Sequence, residues 1–446
     1  MKEPWLWLAS ADLAIELRQL EDEGRDTSPL RKDFERLIAL GDEELSTPSN
    51  QEKAGALLDA AQRLGMRRGY GFREPSGLAE IRKLRERGPD RAKGRLSDKA
   101  LQDRILGAWL GRCAGCLLGK PVEGVRTEEL WGFLKMTDQW PLNDYIRFDA
   151  GGQAAKTYPR FAGLRAFDTI DHMPADDDMD YTVAGLLVVK ERGAAFTPAD
   201  VARFWMRNIP LLRTCTAERV AYRNLVDGLQ PPDTARYLNP YREWIGAQIR
   251  ADIFGWVTPG HPDRAAELAF RDASLSHVKN GIYGEMYMAA VLSAAVGGAS
   301  LEDSVQIGRG EIPAECRLAE AVQDVVAWAA EQRDWEATWR KIMDKYGHYH
   351  GVHTINNAAL VLMGLLHSEG DFARACGIAV MGGLDTDCNG ATAGSIMGAV
   401  LGAAALPPEW VEPLNDRIES FVLGFNDSKI SDLAARTQAV AERIAG

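Results

Sequence analysis

The chain has 446 residues, of which 52 are Lys or Arg and 64 are Asp or Glu, so its formal net charge at pH 7 is −12. Hydrophobic residues make up 46% and charged residues 26%, which is ordinary usage for a globular protein with a sizeable core. The acidic balance argues against binding to nucleic acid or to an anionic membrane, because both need a basic face.

The N-terminal segment carries Glu3, Asp12 and Glu16, which interrupt its apolar run and argue against a signal peptide. The most apolar window, residues 390–406, is shorter than a membrane span, so we expect a buried helix there. Six cysteines are too few for a disulfide framework in a chain of this length. We therefore expect a cytoplasmic protein.

Helical patterns dominate the sequence and alternating strand patterns are scarce, which predicts an all-α fold. Helical apolar spacing covers residues 51–66, 242–254, 315–330 and 414–425. Thr197 and Ser300 are predicted helix N-caps, with Pro198 at a first helical position. Pro313 is predicted to open a further helix.

A basic stretch with glycine and proline, residues 85–95, is typical of a solvated linker. We predict a helical N-terminal extension with its linker over residues 1–95 and a large all-α domain over residues 96–446. A loop-rich zone is expected over about residues 138–173. The extension suits a cap over a site, a surface for self-association or a part of the core equally well, and the oligomeric state is open.

Two segments carry glycine at every fourth position. They are Gly107, Gly111, Gly115 and Gly119 in the first, and Gly390, Gly394, Gly398 and Gly402 in the second. Each glycine costs a helix interior about 1 kcal/mol relative to alanine, so four in register need a reason. Because this spacing places them along one side of a helix, we expect each glycine ridge to pack closely against another backbone.

Four carboxylates crowd into five positions, at Asp176, Asp177, Asp178 and Asp180, where an apolar helical segment begins. One or two acids at a helix N-terminus suit the helix dipole. Four of them repel one another unless a cation or solvent relieves the repulsion. The cluster therefore favours a divalent-metal site.

A second acidic segment opens the second glycine ridge, with Asp385, Asp387 and Asn389 at alternate positions. Oxygen ligands of this kind suit a hard cation such as Mg²⁺ or Ca²⁺. The segment fits the first half of an EF-hand loop, but Ile396 stands where the bidentate Glu is required, so the EF-hand interpretation fails. Since the two acidic helix starts lie about 200 residues apart, they predict a site that the fold assembles.

Three segments also carry the motifs of a known family. Residues 115–123 resemble its glycine-rich helix ending in Gly-x-Pro-Val-Glu, and Asp176-Asp177 resembles its paired aspartates. Residues 383–387 resemble its third motif, Gly-Gly-Asp-Thr-Asp-Thr, and residues 279–286 loosely resemble its central Gly-Asn-Gly…Met loop. Together these motifs resemble the ADP-ribosylglycohydrolase family over roughly residues 97–405.

The resemblance implies an all-α fold and a centre of two divalent ions that binds ribose hydroxyls. Mg²⁺ is the expected ion, with Mn²⁺ or Ca²⁺ as alternatives. The implied metal ligands are Asp176, Asp177, Asp385 and Asp387, with Asp178 as a further candidate. Glu123, Asp177 and Asp387 are the implied catalytic residues.

The candidate substrate-binding residues come from three segments. They are Asn280, Gly281 and Gly284 in the central loop, His350 and His353 in a histidine-rich stretch, and Asn389. The histidines suit substrate contact or proton transfer near neutral pH. A zinc site is disfavoured there, because the stretch lacks the HExxH pattern.

The sequence departs from the family's motifs at four positions. Ala175 and Asp178 replace threonines around the paired aspartates, Cys388 replaces the threonine of the third motif, and Cys116 replaces an aspartate. A thiol is a poor ligand for a hard cation, so Asn389, Asp178 or water fills the gap, or the centre differs.

The leading hypothesis is a divalent-metal-dependent hydrolase that cleaves the bond at the anomeric carbon of ADP-ribose or a related ribosyl conjugate. Such cleavage passes through an oxocarbenium-like state, and a carboxylate such as Glu123 positions or deprotonates the attacking water. The alternatives are an N-glycosidase acting on a small nucleoside-like or natural-product substrate and a non-catalytic ADP-ribose-binding protein. A phosphohydrolase comes last, because no phosphate-binding glycine loop is recognised.

Overall fold

The computed structural model describes residues 3–86, 96–148, 152–161 and 170–445. Within these residues the chain forms 22 α-helices and one two-stranded sheet, so the predicted all-α class is confirmed. None of the helices in this part of the chain is long and apolar enough to cross a membrane. All six cysteines lie among these residues and are free thiols.

The first five helices precede the predicted domain boundary. They are α1 (Ser10–Asp22), α2 (Arg31–Ile38), α3 (Gly41–Leu45), α4 (Pro48–Ala61) and α5 (Leu78–Leu84). The first four enclose a small hydrophobic cluster of their own, centred on Leu13, Phe34 and Leu58. This separate cluster agrees with an N-terminal unit, while the boundary at residue 95 stays a prediction and residues 87–95 lie outside the described part.

The remaining helices build the main body. They are α6 (Asp98–Gly119), α7 (Thr127–Met136), α8 (Gln153–Thr157), α9 (Asp177–Arg192), α10 (Pro198–Asn208), α11 (Thr216–Val226), α12 (Asp252–Trp256), α13 (Pro262–Ala273), α14 (Asn280–Val296), α15 (Leu301–Arg309), α16 (Arg317–Glu331), α17 (Trp335–Tyr346), α18 (Thr354–Leu366), α19 (Phe372–Met381), α20 (Thr386–Leu401), α21 (Pro408–Val411) and α22 (Ile430–Ala445). The strands β1 (Arg417–Glu419) and β2 (Asp427–Lys429) pair antiparallel, with Ile418 opposite Ser428. A single large hydrophobic core joins these helices.

The two glycine ridges lie on α6 and α20 and pack against each other. A Cβ on Gly111 would press on the carbonyl oxygen of Gly394 and lie 2.9 Å from its carbonyl carbon. Gly115 meets Gly390 in the same way, so only glycine allows the two helix axes to come this close. The predicted close backbone packing is confirmed. We call this contact between the two glycine ridges the glycine seam.

Buried ion pairs fasten the N-terminal helices to the body. Arg242 binds Glu16 at 2.5 Å and Glu23 at 2.6 Å, while Arg317 binds Glu74 at 2.8 Å. All of these side chains are almost completely buried. Since removing one partner of a buried pair costs about 3–5 kcal/mol, the extension is an integral part of the folded chain.

Local sequence signals for helix starts hold where the caps are strong. Thr197 accepts a hydrogen bond from the Asp200 amide and Pro198 begins α10, and Ser300 caps α15 through the Asp303 amide. The predictions for residues 51–66 and 315–330 correspond to α4 and α16, with shifted ends.

Three helix predictions are wrong. In each case the backbone pairs with another segment of the chain instead of forming the predicted helix. Most of residues 242–254 is irregular, since the Ile245 amide bonds to the Val352 carbonyl of another loop. Residues 414–425 contain β1 instead, which follows Asn415 and Asp416 with their left-handed φ angles and pairs with β2. Pro313 pairs with Arg85 in an isolated bridge, and α16 begins only at Arg317. Part of the predicted loop-rich zone, residues 149–151 and 162–169, lies outside the described residues.

Candidate metal centre

The glycine seam brings the end of α6 against the start of α20. A Cβ on Gly119 would lie 2.6 Å from the backbone nitrogen of Asp387, and the Thr386 hydroxyl donates to the Gly119 carbonyl at 2.8 Å. A short 3₁₀ turn, Lys120–Val122, follows α6 and leads to Glu123. The seam therefore places the first and third motifs side by side.

The paired aspartates arrive at the same place on the N-terminus of α9. Asp176 is the N-cap of this helix, and its carboxylate accepts a hydrogen bond from the Asp178 amide at 3.0 Å. Asp176 and Asp178 are buried, whereas Asp177 is half-buried. Capping by an acid suits the helix dipole, but it uses only one of the available carboxylate oxygens.

The loop before α20 turns sharply to present its acids. Gly383 and Leu384 both have left-handed φ angles, +81° and +64°. Because Leu384 is not a glycine, its backbone is strained there, as is found at functional sites. Asp385 then occupies the N-cap position of α20 without a capping side-chain hydrogen bond, and Asp387 lies in the first turn, both about 5% exposed.

Two tryptophans hold this loop from behind. The Trp131 indole donates to the Met381 carbonyl at 2.7 Å, and the Trp339 indole donates to the Gly382 carbonyl at 3.0 Å. The two rings pack 4.8 Å apart between their centroids. They fix the backbone immediately before the acidic residues.

The acidic side chains and two cysteines form three groups. Within each group, the possible ligand atoms of the three residues lie within 4.8 Å of one another. The groups are Glu123 with Asp385 and Asp387, Asp178 with Asp387 and Cys388, and Cys116 with Asp176 and Asp178. One oxygen each of Asp178, Asp385 and Asp387 is buried without a hydrogen-bond partner among the described residues. Buried polar atoms are rarely left unpaired, so these oxygens mark a position for a cation.

Two cations partly balance the acids, the buried Arg112 and the half-buried Lys120. Arg112 donates to Asp178 at 3.0 Å, to Asp252 at 2.9 Å and to the Thr182 hydroxyl at 2.9 Å. Lys120 forms an ion pair with Asp176. Because Arg112 occupies only one carboxylate oxygen of Asp178, the other oxygen of Asp178 stays available.

Burial and mutual repulsion shift the acids strongly. Burial first, and then the neighbouring carboxylates, raise the pKa values of Asp177, Asp178 and Asp387 well above the ordinary range. Desolvation by the surrounding protein, together with the charges of Asp385 and Asp176, raises the pKa of Glu123 to about 7. Keeping these carboxylates charged in the folded protein therefore costs free energy, and a bound divalent cation would reduce that cost.

A chain of amides links this centre to the histidine-rich loop. Asn389 donates to the Asn357 side chain at 2.9 Å, and Asn357 donates to the His353 carbonyl at 2.8 Å. The His353 ring accepts from the Ile355 amide and caps α18, while His350 stacks on Trp244 with 4.2 Å between the ring centroids. Asn389 is therefore linked through Asn357 to the backbone carbonyl of His353, whereas the ring of His350 packs on Trp244.

The central-loop residues lie deeper in the fold. The Asn280 amide donates to Glu74 at 2.8 Å, and its oxygen accepts from the Leu318 amide at 3.1 Å. A Cβ on Gly281 would lie 2.7 Å from the Arg242 carbonyl, and one on Gly284 would lie 2.9 Å from the Thr354 hydroxyl oxygen. The Asn280 side chain is thus engaged in holding α14 to the N-terminal extension and to α16.

The comparison with known proteins agrees with this geometry. The sequence profile of the family described as ADP-ribosylglycohydrolase matches residues 97–443. The chain belongs to the ADP-ribosylglycohydrolase family. A search of curated proteins finds no match.

One similar solved structure is titled "ADP-ribosylglycohydrolase-related protein complex". It is 21% identical, and the alignment covers 78% of this chain and 100% of that one, with a TM-score of 0.48. Family membership supports a glycohydrolase-type activity for the chain.

Two charged residues of this candidate centre were missed by the sequence-based prediction. Arg112 is a lone charge within the apolar stretch of α6, which is itself a signal of a buried ion pair. Lys120 stands inside the first motif, and only the fold shows that it reaches Asp176. The sequence pointed to the acids but gave no means of pairing them with these cations.

Proposed function

We propose that the protein is a divalent-metal-dependent hydrolase that cleaves the bond at the anomeric carbon of ADP-ribose in an ADP-ribosylated protein, nucleotide or related conjugate. The observation that carries the proposal is the convergence of Glu123, Asp176, Asp178 and the α20 aspartates, with buried carboxylate oxygens that lack partners among the described residues. Family membership supplies the reaction class.

The donor set fits hard cations on one side of the centre. Glu123, Asp385 and Asp387 offer carboxylate oxygens, which Mg²⁺ and Mn²⁺ prefer. Asp387 also belongs to the neighbouring group with Asp178, so it would contribute to holding a cation on either side of the centre. Bound divalent ions would hold the ribose hydroxyls, balance the excess negative charge and lower the pKa of a coordinated water.

Glu123 is the residue best suited to proton transfer. It is the exposed member of its group, so substrate and water reach it, and in the metal-free protein its pKa is raised to about 7, near physiological pH. A general base works best when its pKa matches the working pH. Glu123 would orient the attacking water and accept its proton while positive charge develops at the ribose ring. Asp177 and Asp387 would be the further catalytic residues, and Asp387 lies beside Glu123.

The first experiment measures release of free ADP-ribose from N-linked and O-linked ADP-ribosyl conjugates, with the purified protein in Mg²⁺, Mn²⁺, Ca²⁺ or EDTA. We expect turnover with a divalent ion and none in EDTA. Glu123→Gln should lower kcat by about 10²–10⁴-fold, because it removes the base but keeps the shape of the side chain. Glu128→Gln is the matched control, since Glu128 is an exposed acid of α7 paired only with Arg126.

Turnover that persists in EDTA, or full activity in Glu123→Gln, would contradict the proposal. The same assay with nucleosides tests the N-glycosidase alternative, for which a free base would be released. Tight metal-dependent binding of ADP-ribose with no release from any conjugate would favour a non-catalytic binding protein.

A further inference from the structure

Two thiols line the acidic centre, one from each helix of the glycine seam. Cys116 lies in the last turns of α6 and Cys388 in the first turn of α20, and both are buried. Cys116 directly follows Gly115, and Cys388 lies two residues before Gly390. Gly115 and Gly390 contact each other across the seam. The seam therefore fixes both cysteines beside the same set of carboxylates.

Each thiol lies near Asp178, in a group of possible ligand atoms that does not contain the other thiol. The Cys388 sulfur is within 4.8 Å of oxygens of Asp178 and Asp387, and the Cys116 sulfur is within 4.8 Å of oxygens of Asp176 and Asp178. A zinc ion bonds sulfur at about 2.3 Å and carboxylate oxygen at about 2.0–2.2 Å, so its ligands lie at most about 4.5 Å apart. Within each group this spacing needs only a small adjustment of the side chains to close on such an ion, and Asp178 is the residue that the two groups share.

An independent observation points to a ligand at this position. Asp178 is completely buried, and its second carboxylate oxygen has no hydrogen-bond partner in the described part of the chain. Its first oxygen is held by Arg112, which fixes the direction in which the free oxygen points. A buried, oriented and unpaired carboxylate oxygen of this kind is expected to bind a cation.

The donor chemistry differs between the two sides of the centre. The group of Glu123, Asp385 and Asp387 offers only oxygen, whereas the Asp178 side adds two sulfur atoms. Sulfur ligands select softer ions, and Mg²⁺ binds them poorly. The two sides therefore favour different metals.

We propose that the Asp178 side of the centre is a mixed thiolate–carboxylate site for a divalent ion softer than Mg²⁺, such as Zn²⁺, with Cys116 and Cys388 as its sulfur ligands. The inference rests on the proposed metal-dependent function, because it assigns the second ion of that centre. Each thiol loses its proton to solvent as its sulfur–metal bond forms, so the step needs no oxidant or reductant.

The test uses Cd²⁺ as a spectroscopic probe of the metal-free, fully reduced protein. A Cd²⁺–thiolate bond produces an ultraviolet charge-transfer band, which oxygen ligands do not produce. We expect the band to grow and saturate at one equivalent of Cd²⁺, and to persist in excess Mg²⁺. Cys116→Ser and Cys388→Thr should each lower the band by about half, and the double variant should abolish it, because each sulfur contributes separately.

Cys113→Ala is the matched control, because Cys113 is a buried thiol of the same helix that contacts Met179 and belongs to none of the three groups. It should keep the full band. Absence of the band in the wild-type protein, or full height in either single variant, would overturn the proposal. Since the wild-type measurement needs no substitution, a variant that misfolds leaves the proposal testable.

The Cd²⁺ titration tests the thiolate site and the hydrolysis assay tests the proposed function, so either can be negative without the other. A thiolate band without any hydrolysis would overturn the proposed function and keep this site. Mg²⁺-dependent hydrolysis without a thiolate band would do the reverse.

Discussion

Neutralising one buried acid of the centre should stabilise the metal-free protein and remove its response to metal. Asp385 and Asp387 are both buried, and their carboxylate oxygens lie within 4.8 Å. At that separation and an effective dielectric constant of about 20, two full negative charges repel by about 3.5 kcal/mol. Asp387→Asn removes this repulsion, so it should raise the free energy of unfolding of the metal-free protein by up to that amount at pH 8.

The corresponding shift in melting temperature follows from the chain length. An unfolding entropy of about 2.1 cal/mol/K per residue gives about 0.9 kcal/mol/K for 446 residues. The variant should therefore melt up to about 4 °C higher than the wild-type protein in EDTA. A metal at 100 times its Kd adds about 2.7 kcal/mol, or about 3 °C, to the wild-type protein only.

Differential scanning calorimetry of both proteins, in EDTA and in Mg²⁺ or Mn²⁺, measures both shifts. Glu128→Gln should change neither value. The reasoning would be refuted by a variant that melts lower than the wild-type protein in EDTA, or by one that keeps the whole metal-dependent shift.

Two further predictions concern the parts of the fold that position the centre. Gly111→Ala should lower the free energy of unfolding by at least about 1–3 kcal/mol, because its Cβ would press on the backbone of Gly394. Chemical denaturation measures this change, and the control is Gly65→Ala, whose Cβ would lie in open space. An unchanged denaturation midpoint would contradict the prediction. Burial raises the pKa of Glu16 to about 7 despite Arg242, so the folded state binds the proton more tightly than the unfolded state. About 3 kcal/mol of stability present below pH 4.5 is therefore lost as the pH rises through 7. Glu16→Gln should flatten that dependence, and parallel stability–pH curves for the two proteins would rule it out.

The sequence predicted most where short-range rules act alone. Proline after Thr197 and the cap at Ser300 fixed two helix starts, since a cap is satisfied by residues within one turn. The four-residue glycine spacing predicted close backbone packing, because this period always leaves one bare stripe on a helix. The residue types of the two acidic clusters predicted a cation site, since crowded carboxylates need a counter-charge.

Predictions failed where distant backbone competes with helical periodicity. Residues 242–254 carry helical apolar spacing, yet the Ile245 amide bonds to the Val352 carbonyl of another loop. Such pairing depends on which segments meet in space, and periodicity does not record that.

The sequence by itself determined the all-α class, the two glycine ridges and the chemical character of the acidic residues, because these depend on local spacing and side-chain type. Only the tertiary structure decided that the ridges pack on each other and bring Glu123 beside Asp387. It alone paired Arg112 with Asp178 and placed Cys116 and Cys388 on one side of the centre. The physical reason is that a metal site depends on distances of a few ångströms between side chains from separate helices, and these distances exist only once the core has packed.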